Sequence, residues 1–131
     1  AERVDVAGRS NLAIAARLKS FAFAFEGLAF MLRTQHNSWV HLGATIAIVA
    51  LGFALQVSAD AWRWLIAAMA LVWVAEAMNT AFEHLCDVVS PQFHESVKRS
   101  KDIAAAAVLV CVIAASLLGA ITFAPYVLAL I

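Results

Sequence analysis

Long apolar stretches without formal charge are the feature that most limits how this chain can fold. No Asp, Glu, Lys or Arg lies between Arg33 and Asp60, and none follows Asp102. About 18–20 apolar residues in a helix suffice to cross a hydrocarbon core of about 30 Å. We therefore predict an all-α fold, with residues 1–131 forming a single membrane domain. The predicted transmembrane helices are residues 40–57, 62–86 and 102–123.

The overall composition also favours a membrane protein. The chain is 64% hydrophobic and 14% charged, whereas an ordinary globular domain is about 45–50% apolar and about 25% charged. The formal net charge is zero, which gives no argument for a nucleic-acid partner. Cys86 and Cys111 stand alone in apolar surroundings, so we expect buried small side chains and not a metal or redox pair.

The segment before the first predicted span has a different character. Residues 12–32 mix apolar side chains, several of them phenylalanines, with charges such as Arg17 and Glu26. This pattern predicts an amphipathic helix that lies on the membrane surface, and a helix packed against the bundle is the alternative. Residues 1–11 are polar and small, and we expect the helix to begin near Leu12.

Basic residues in the short connections predict the orientation of the chain. Lys98, Arg99 and Lys101 lie in the connection between the second and third spans, and several arginines precede the first span. The turn between the first two spans is bounded by Arg63 alone. Because short cytoplasmic loops carry the excess of Lys and Arg, the N-terminus and residues 87–102 are predicted to face the cytoplasm.

One stripe of polar residues occurs in and just beyond the second predicted span. At about 100° per residue, Glu76, Asn79, Glu83 and Asp87 fall within about 80° of one another on a helix. A charged group at membrane depth costs about 2.5–3.5 kcal/mol on insertion scales. The stripe therefore indicates an active or binding site. A proton or cation path and structural pairing with a neighbouring basic residue are the alternatives.

Topology brings the polar ends of all three spans to one membrane surface. The other contributors are Gln35, His36 and Asn37 before the first span, and Lys98, Lys101 and Asp102 before the third. Carboxylates and amides suit Mg²⁺, lysines suit phosphate, and the set does not suit structural zinc. For His36, His41 and His84, interfacial hydrogen bonding is the simpler expectation. The sequence contains no P-loop, dinucleotide-binding or protein-kinase motif.

Four motifs in succession give the chain a family resemblance. They are E-A-M-N-T-A-F-E beginning at Glu76, then Asp87, then S-P-Q-F-H-E beginning at Ser90, and S-K-D with a run of alanines beginning at Ser100. In order and spacing they resemble the prokaryotic integral-membrane diacylglycerol kinase family, which includes the undecaprenol kinases of Gram-positive bacteria. The resemblance covers about residues 12–121.

This resemblance implies a homotrimer in the bacterial inner membrane, with active sites shared between protomers and facing the cytoplasm. It implies transfer of the γ-phosphoryl group of Mg²⁺-bound ATP to the primary hydroxyl of a membrane lipid. The loop and the N-S-W-V-H-L segment favour the undecaprenol kinase-like branch, and diacylglycerol is the other expected substrate. By position, the resemblance implies catalytic roles for Glu76 (as general base), Asn79 and Asp102. It implies nucleotide contacts for Lys101, Arg17, Asp87 and Gln35. It implies metal contacts for Glu83 and Gln35.

Gln35 departs from the family pattern, which usually has a metal-binding glutamate at this position. A glutamine offers a carbonyl oxygen but no charge, so weaker metal binding is expected unless Glu26, His36 or an acid of a neighbouring protomer compensates. The alternative function is therefore a weakened or inactive family member that binds lipid or nucleotide. A small transporter with Glu76 as proton carrier is least favoured, because it gives the loop motifs no role.

Overall fold

Every element of the fold is an α-helix. The computed structural model describes residues 2–131, and for residues 2–13 and 15 it describes the helical backbone alone. Across the described residues there is no strand, which confirms the all-α prediction. The helices are α1 (Glu2–Thr34), α2 (His36–Ala54), α3 (Ala59–Val89) and α4 (Glu95–Leu128).

Three of these helices are long and apolar enough to cross a membrane, namely α2, α3 and α4. The predicted span 40–57 is shifted, because α2 begins at His36 and ends at Ala54, and Gln56 then adopts the left-handed conformation (φ 50°) that commonly follows a helix end. α3 and α4 extend beyond their predicted spans at both ends, most clearly α4, which begins at Glu95 and not near residue 102. Charged side chains support this extra length, because Arg99 pairs with Glu95 at 3.1 Å and Lys98 pairs with Asp102 at 2.9 Å. Such pairs at i,i+4 stabilise a helix outside the apolar region.

The first helix forms a compact unit distinct from the one formed by Gln35–Ile131. It begins at Glu2, and not near Leu12 as the sequence suggested. The segment before Leu12 contains no proline, the residue that most strongly breaks a helix. Its polar residues, such as serine and asparagine, cost at most about 0.7 kcal/mol each inside a helix. The position of α1 on the membrane surface stays a prediction.

The unit Gln35–Ile131 is built on the pairing of α3 with α4, and α2 contacts α3 to a smaller extent. α3 has 31 residues and ends at Val89 because Pro91 disfavours a helical conformation in the residue before it. Many large apolar side chains of these helices are exposed. Exposed apolar surface on this scale indicates contact with a membrane or a protein partner.

The apolar core of this unit lies at the end where α3 begins and α4 ends. We call Val57, Ala61, Leu65 and Phe123 the far-end core. Ser58 caps α3, and its Oγ accepts a hydrogen bond from the Ala61 amide at 3.2 Å. Tyr126 fastens α4 to this cap: its Oη donates to Ser58 Oγ at 3.0 Å and accepts from the Ser58 amide at 3.0 Å.

Candidate functional site

At the opposite end of these helices, several polar side chains are buried. Ser38 on α2 and Glu76, Asn79 and Thr80 on α3 are all buried, and Glu76 is only 1% exposed. A carboxylate removed from water is costly unless it is paired and hydrogen-bonded. Polar groups therefore concentrate along the stripe that the sequence indicated, while the rest of α3 buries apolar side chains.

The Glu83 carboxylate lies between two amide side chains. Asn79 Nδ2 donates to Glu83 Oε1 at 3.3 Å, and Gln35 Nε2 donates to Glu83 Oε2 at 3.4 Å. Gln35 can reach Glu83 because it occupies the N-cap position of α2 in an extended conformation and its side chain makes no capping hydrogen bond. The structure thus brings together three predicted site residues from α3 and the start of α2.

A histidine from α2 faces the most deeply buried carboxylate. His41 Nε2 lies 3.5 Å from Glu76 Oε2, and the two side chains are 12% and 2% exposed. The distance is short enough for an ion pair, yet neither atom makes a hydrogen bond of good geometry within the described part of the chain. A small rotation of either side chain would align the two groups for a hydrogen bond.

Sequence reasoning gave His41 only an interfacial hydrogen bond, and its position beside Glu76 was not foreseen. The signal available was a lone histidine near the start of an apolar span, at the same end as the acidic stripe. That signal becomes specific only when the register of α2 against α3 is known. The Trp73 ring meets the His41 ring edge-on, with centroids 6.3 Å apart, and its Nε1 donates to Thr45 Oγ1 at 2.9 Å.

The start of α4 forms the second part of the site. Lys101 Nζ donates to Asp87 Oδ1 at 2.9 Å, which joins α4 to the end of α3. Both residues line a cavity of about 340 Å³ beside residues 90–94, together with Lys98 and Asp102. Two ammonium groups at the edge of an open cavity are suited to an anionic ligand such as a phosphate.

Asp102, like Asp87 and Lys101, lies outside the buried cluster. The Asp102 carboxylate is 64% exposed and faces Lys98 at 2.9 Å, so it belongs to the cavity and not to the surroundings of Glu76. Arg17 lies on α1, in the other compact unit, and its contribution to the site stays a prediction.

The oxygen atoms of Glu83 and of its two amide neighbours are suitable ligands for a hard cation. The Asn79 Oδ1 atom is buried without a hydrogen-bond partner among the described residues, and rotating the Gln35 amide would turn its carbonyl oxygen toward Glu83. Mg²⁺ accepts such oxygen ligands and commonly needs only one or two carboxylates besides substrate phosphates. Among the residues whose side chains the structure describes, no group of three or more His, Cys, Asp or Glu could hold a metal ion, so the amide oxygens would have to contribute.

Comparison with known families then identifies the relationship. The family model described as prokaryotic diacylglycerol kinase matches residues 22–123. The chain belongs to this family. The match includes Gln35, Glu76, Glu83 and Lys101, and it confirms the resemblance drawn from the motifs.

Curated members of the family align with most of the chain. An undecaprenol kinase of Bacillus subtilis is 32% identical over 107 residues, which cover 82% of this chain and 87% of the relative. A diacylglycerol kinase of Synechocystis sp. is 35% identical over 114 residues, covering 86% of this chain and 65% of the relative. A diacylglycerol kinase of Escherichia coli is 30% identical over 101 residues, covering 77% and 70%.

Proposed function

We propose that the protein is a membrane lipid kinase that transfers the γ-phosphoryl group of ATP to the primary hydroxyl of undecaprenol or diacylglycerol. The observation that carries this proposal is the buried Glu76 carboxylate, two helical turns before the amide-flanked Glu83 on α3, in the half of the helix whose end is joined to α4 by the Lys101–Asp87 pair. The names of the curated relatives support both lipid alcohols as substrates.

In this mechanism Glu76 accepts the proton of the lipid hydroxyl. The hydroxyl oxygen forms a bond to the γ-phosphorus, the bond between that phosphorus and the bridging oxygen breaks, and ADP leaves. A well-placed general base contributes about 10²–10⁴-fold to such a reaction. The burial of Glu76 among helices long enough to span a membrane supports this role, because the substrate hydroxyl would stay attached to the bilayer.

The amide-flanked carboxylate would hold the metal of the nucleotide. Glu83 supplies the negative charge, and Asn79 and Gln35 would turn their carbonyl oxygens toward the ion. Mg²⁺, when bound there, neutralises charge on the transferring phosphoryl group. Asn79 therefore has two tasks, since it also keeps the Glu83 carboxylate in place.

Lys101 is the proposed phosphate contact. Its ammonium group would exchange the Asp87 carboxylate for phosphate oxygens, while Asp87 stays beside the lysine and orients it. At the edge of the cavity, Asp102 would orient the Lys98 ammonium group, as Asp87 orients Lys101. Arg17 is proposed as a further nucleotide contact from α1, on the strength of the family resemblance alone.

We further propose that the protein works as a homotrimer in the bacterial inner membrane, with the site facing the cytoplasm and membrane lipids around the helices. The exposed apolar surface of α2, α3 and α4 supports burial against lipids and other protomers. The lysines and arginines at residues 98–101 support the orientation.

The direct test is phosphorylation of defined lipids by the purified, detergent-solubilised protein. Labelled ATP and Mg²⁺ are supplied with undecaprenol or diacylglycerol, and labelled phospholipid is quantified. We expect label in at least one lipid and its loss in Glu76→Gln, while Glu95→Gln retains activity because Glu95 is exposed and paired with Arg99. Absence of labelled product with both lipids would refute the proposal.

A second candidate function is a weakened family member that binds nucleotide or lipid with little turnover. The observation that favours it is Gln35, whose neutral amide stands beside Glu83. The variant Gln35→Glu separates the two functions. A large gain in turnover identifies a weakened kinase, whereas nucleotide binding without turnover in both forms identifies a binding protein.

A further inference from the structure

We infer that His41 is a positioning residue for the Glu76 carboxylate: it holds one carboxylate oxygen so that Glu76 can accept the substrate proton. This inference deepens the proposed function and rests on it for its catalytic meaning. The His41–Glu76 pair itself is a statement about the protein alone, so it can be tested whether or not the protein is a kinase.

The first argument is the complementary geometry of the two side chains. Nε2 of His41 and Oε2 of Glu76 are 3.5 Å apart. Both are buried, and neither has a hydrogen-bond partner among the residues that the structure describes. An unpaired buried polar atom costs about 1–3 kcal/mol. Each atom is therefore positioned to satisfy the other, with the Nε2–H group of His41 donating to the carboxylate.

The second argument is the support of the imidazole ring. Trp73, one turn before Glu76 on α3, meets the His41 ring edge-on with an interplanar angle of 70°. Its Nε1 donates to Thr45 Oγ1 at 2.9 Å, one turn after His41 on α2. The two helices therefore fix the tryptophan, and the tryptophan restricts the histidine. Supporting contacts of this kind hold a catalytic group in its productive orientation.

The third argument is the surroundings of His41. The ring lies at the edge of an apolar cavity of about 340 Å³ whose walls come from α2, α3 and α4. The α4 residues there are apolar or small, with Ser116 as the one hydroxyl among them. Among the described residues, Glu76 is the carboxylate within ion-pair distance of the His41 ring. The residues that line the cavity include no Asp or Glu, so none of them competes with Glu76 for the imidazole N–H group.

The activity test compares two substitutions at one position. His41→Phe keeps a planar ring but removes the donor, and we expect kcat to fall at least about 30-fold while the KM for ATP changes less than about twofold. His41→Gln restores an N–H donor, and we expect it to recover kcat to within about fivefold of the starting protein. Ser116→Ala is the matched control, because it changes the same cavity at a hydroxyl bonded to its own helix.

A merely structural histidine gives a different result. Both His41 variants would then lose activity in proportion to their loss of folded protein, with no advantage for glutamine. Equal kcat values for the Phe and Gln variants, at matched thermal stability, would overturn the inference.

An activity-independent measurement decides the pair if no lipid is phosphorylated. In ¹⁵N-labelled full-length protein, we expect a slowly exchanging, downfield Nε2–H proton signal at His41. Glu76→Gln should move this signal upfield, and Glu83→Gln, which removes an equal charge farther from the ring, should leave it in place. A His41 signal that is insensitive to Glu76→Gln would overturn the pairing, whereas a missing kinase activity would overturn only the proposed function.

Discussion

The two ends of the unit formed by α2, α3 and α4 satisfy their polar groups very differently. Beside the far-end core, Ser58 and Tyr126 exchange hydrogen bonds at 3.0 Å, and Ser58 also caps α3. At the other end, five buried side-chain atoms have no hydrogen-bond partner among the described residues. They belong to Ser38, His41, Glu76, Asn79 and Thr80. At one end the polar groups satisfy each other, and at the other several buried polar groups lack a partner among the described residues.

The cost of this arrangement is considerable. Each unsatisfied buried polar group costs about 1–3 kcal/mol, and such groups in a native structure call for an explanation. A bound nucleotide with its metal and a lipid hydroxyl would supply the missing partners for several of them. We therefore expect substitutions at the two ends to separate activity from stability.

The largest effect is expected at Glu76. Glu76→Gln removes the proposed base and should lower kcat about 10³-fold, in the range for general bases, which corresponds to about 4 kcal/mol. Thermal unfolding in detergent should occur at the same or a higher temperature, because the substitution removes a buried charge. A loss of stability that parallels the loss of activity would break the distinction between the two ends.

A smaller effect is expected near the far-end core, where Gly52 lies against Trp62. A Cβ added at Gly52 would come within 2.7 Å of the Trp62 ring, which also packs on Phe53 with centroids 5.0 Å apart. Gly52→Ala should therefore destabilise the fold by about 1–3 kcal/mol, as overpacking does. Thermal unfolding measures this change, and kcat of the remaining folded protein should stay within about twofold.

A still smaller loss of stability is expected when the N-cap of α3 is removed. Ser58→Ala removes both the cap and the acceptor of the Tyr126 hydroxyl, and we expect a loss of about 1 kcal/mol. Tyr126→Phe is the matched variant, since it removes the hydroxyl but leaves the cap. If either variant altered the KM for ATP, the far end would not be separate from the site.

The smallest effect is expected at Asp102. Its carboxylate is exposed and paired with Lys98, and exposed pairs of this kind contribute at most about 1 kcal/mol. Asp102→Asn should lower kcat/KM for ATP less than about fivefold and leave stability unchanged. A loss as large as that of Glu76→Gln would show that Asp102 acts on the reacting groups directly and would extend the site to the edge of the cavity.

Much of this architecture could be predicted from the sequence, because length and charge alone determine which segments can cross a bilayer. The stripe on α3 was equally accessible, since helical periodicity places Asn79 and Glu83 on one face. The family resemblance implied metal contacts for both Gln35 and Glu83, and the structure brings these two side chains within 3.4 Å of each other. These features depend on local spacing or on a recognised motif.

The remaining features depend on contacts between residues distant in the chain. His41 meets Glu76 only because of the register of α2 against α3, and Ser58 meets Tyr126 only because α4 is long enough to return to that end. The prediction that α1 begins near Leu12 is wrong, because polar residues alone do not end a helix and the segment before Leu12 contains no proline. The length of α4 is likewise greater than its apolar segment predicts. Its first turn is polar and contains the Glu95–Arg99 pair.

The uneven charge distribution on α3 and α4 has a consequence for the bilayer itself. Between Arg63 and Glu76, the charge-free segment 64–75 of α3 is about 18 Å long at about 1.5 Å per residue, whereas segment 103–128 of α4 reaches about 39 Å. A hydrocarbon layer of about 30 Å cannot match both lengths. In a bilayer, the difference would be met by tilting of the helices, by local thinning beside α3, or by water and headgroups that reach toward the Glu76 end. If thinning contributes, we expect the membrane to be thinner beside α3 than beside α4, and a lipid headgroup would then lie nearer to the depth of the carboxylate.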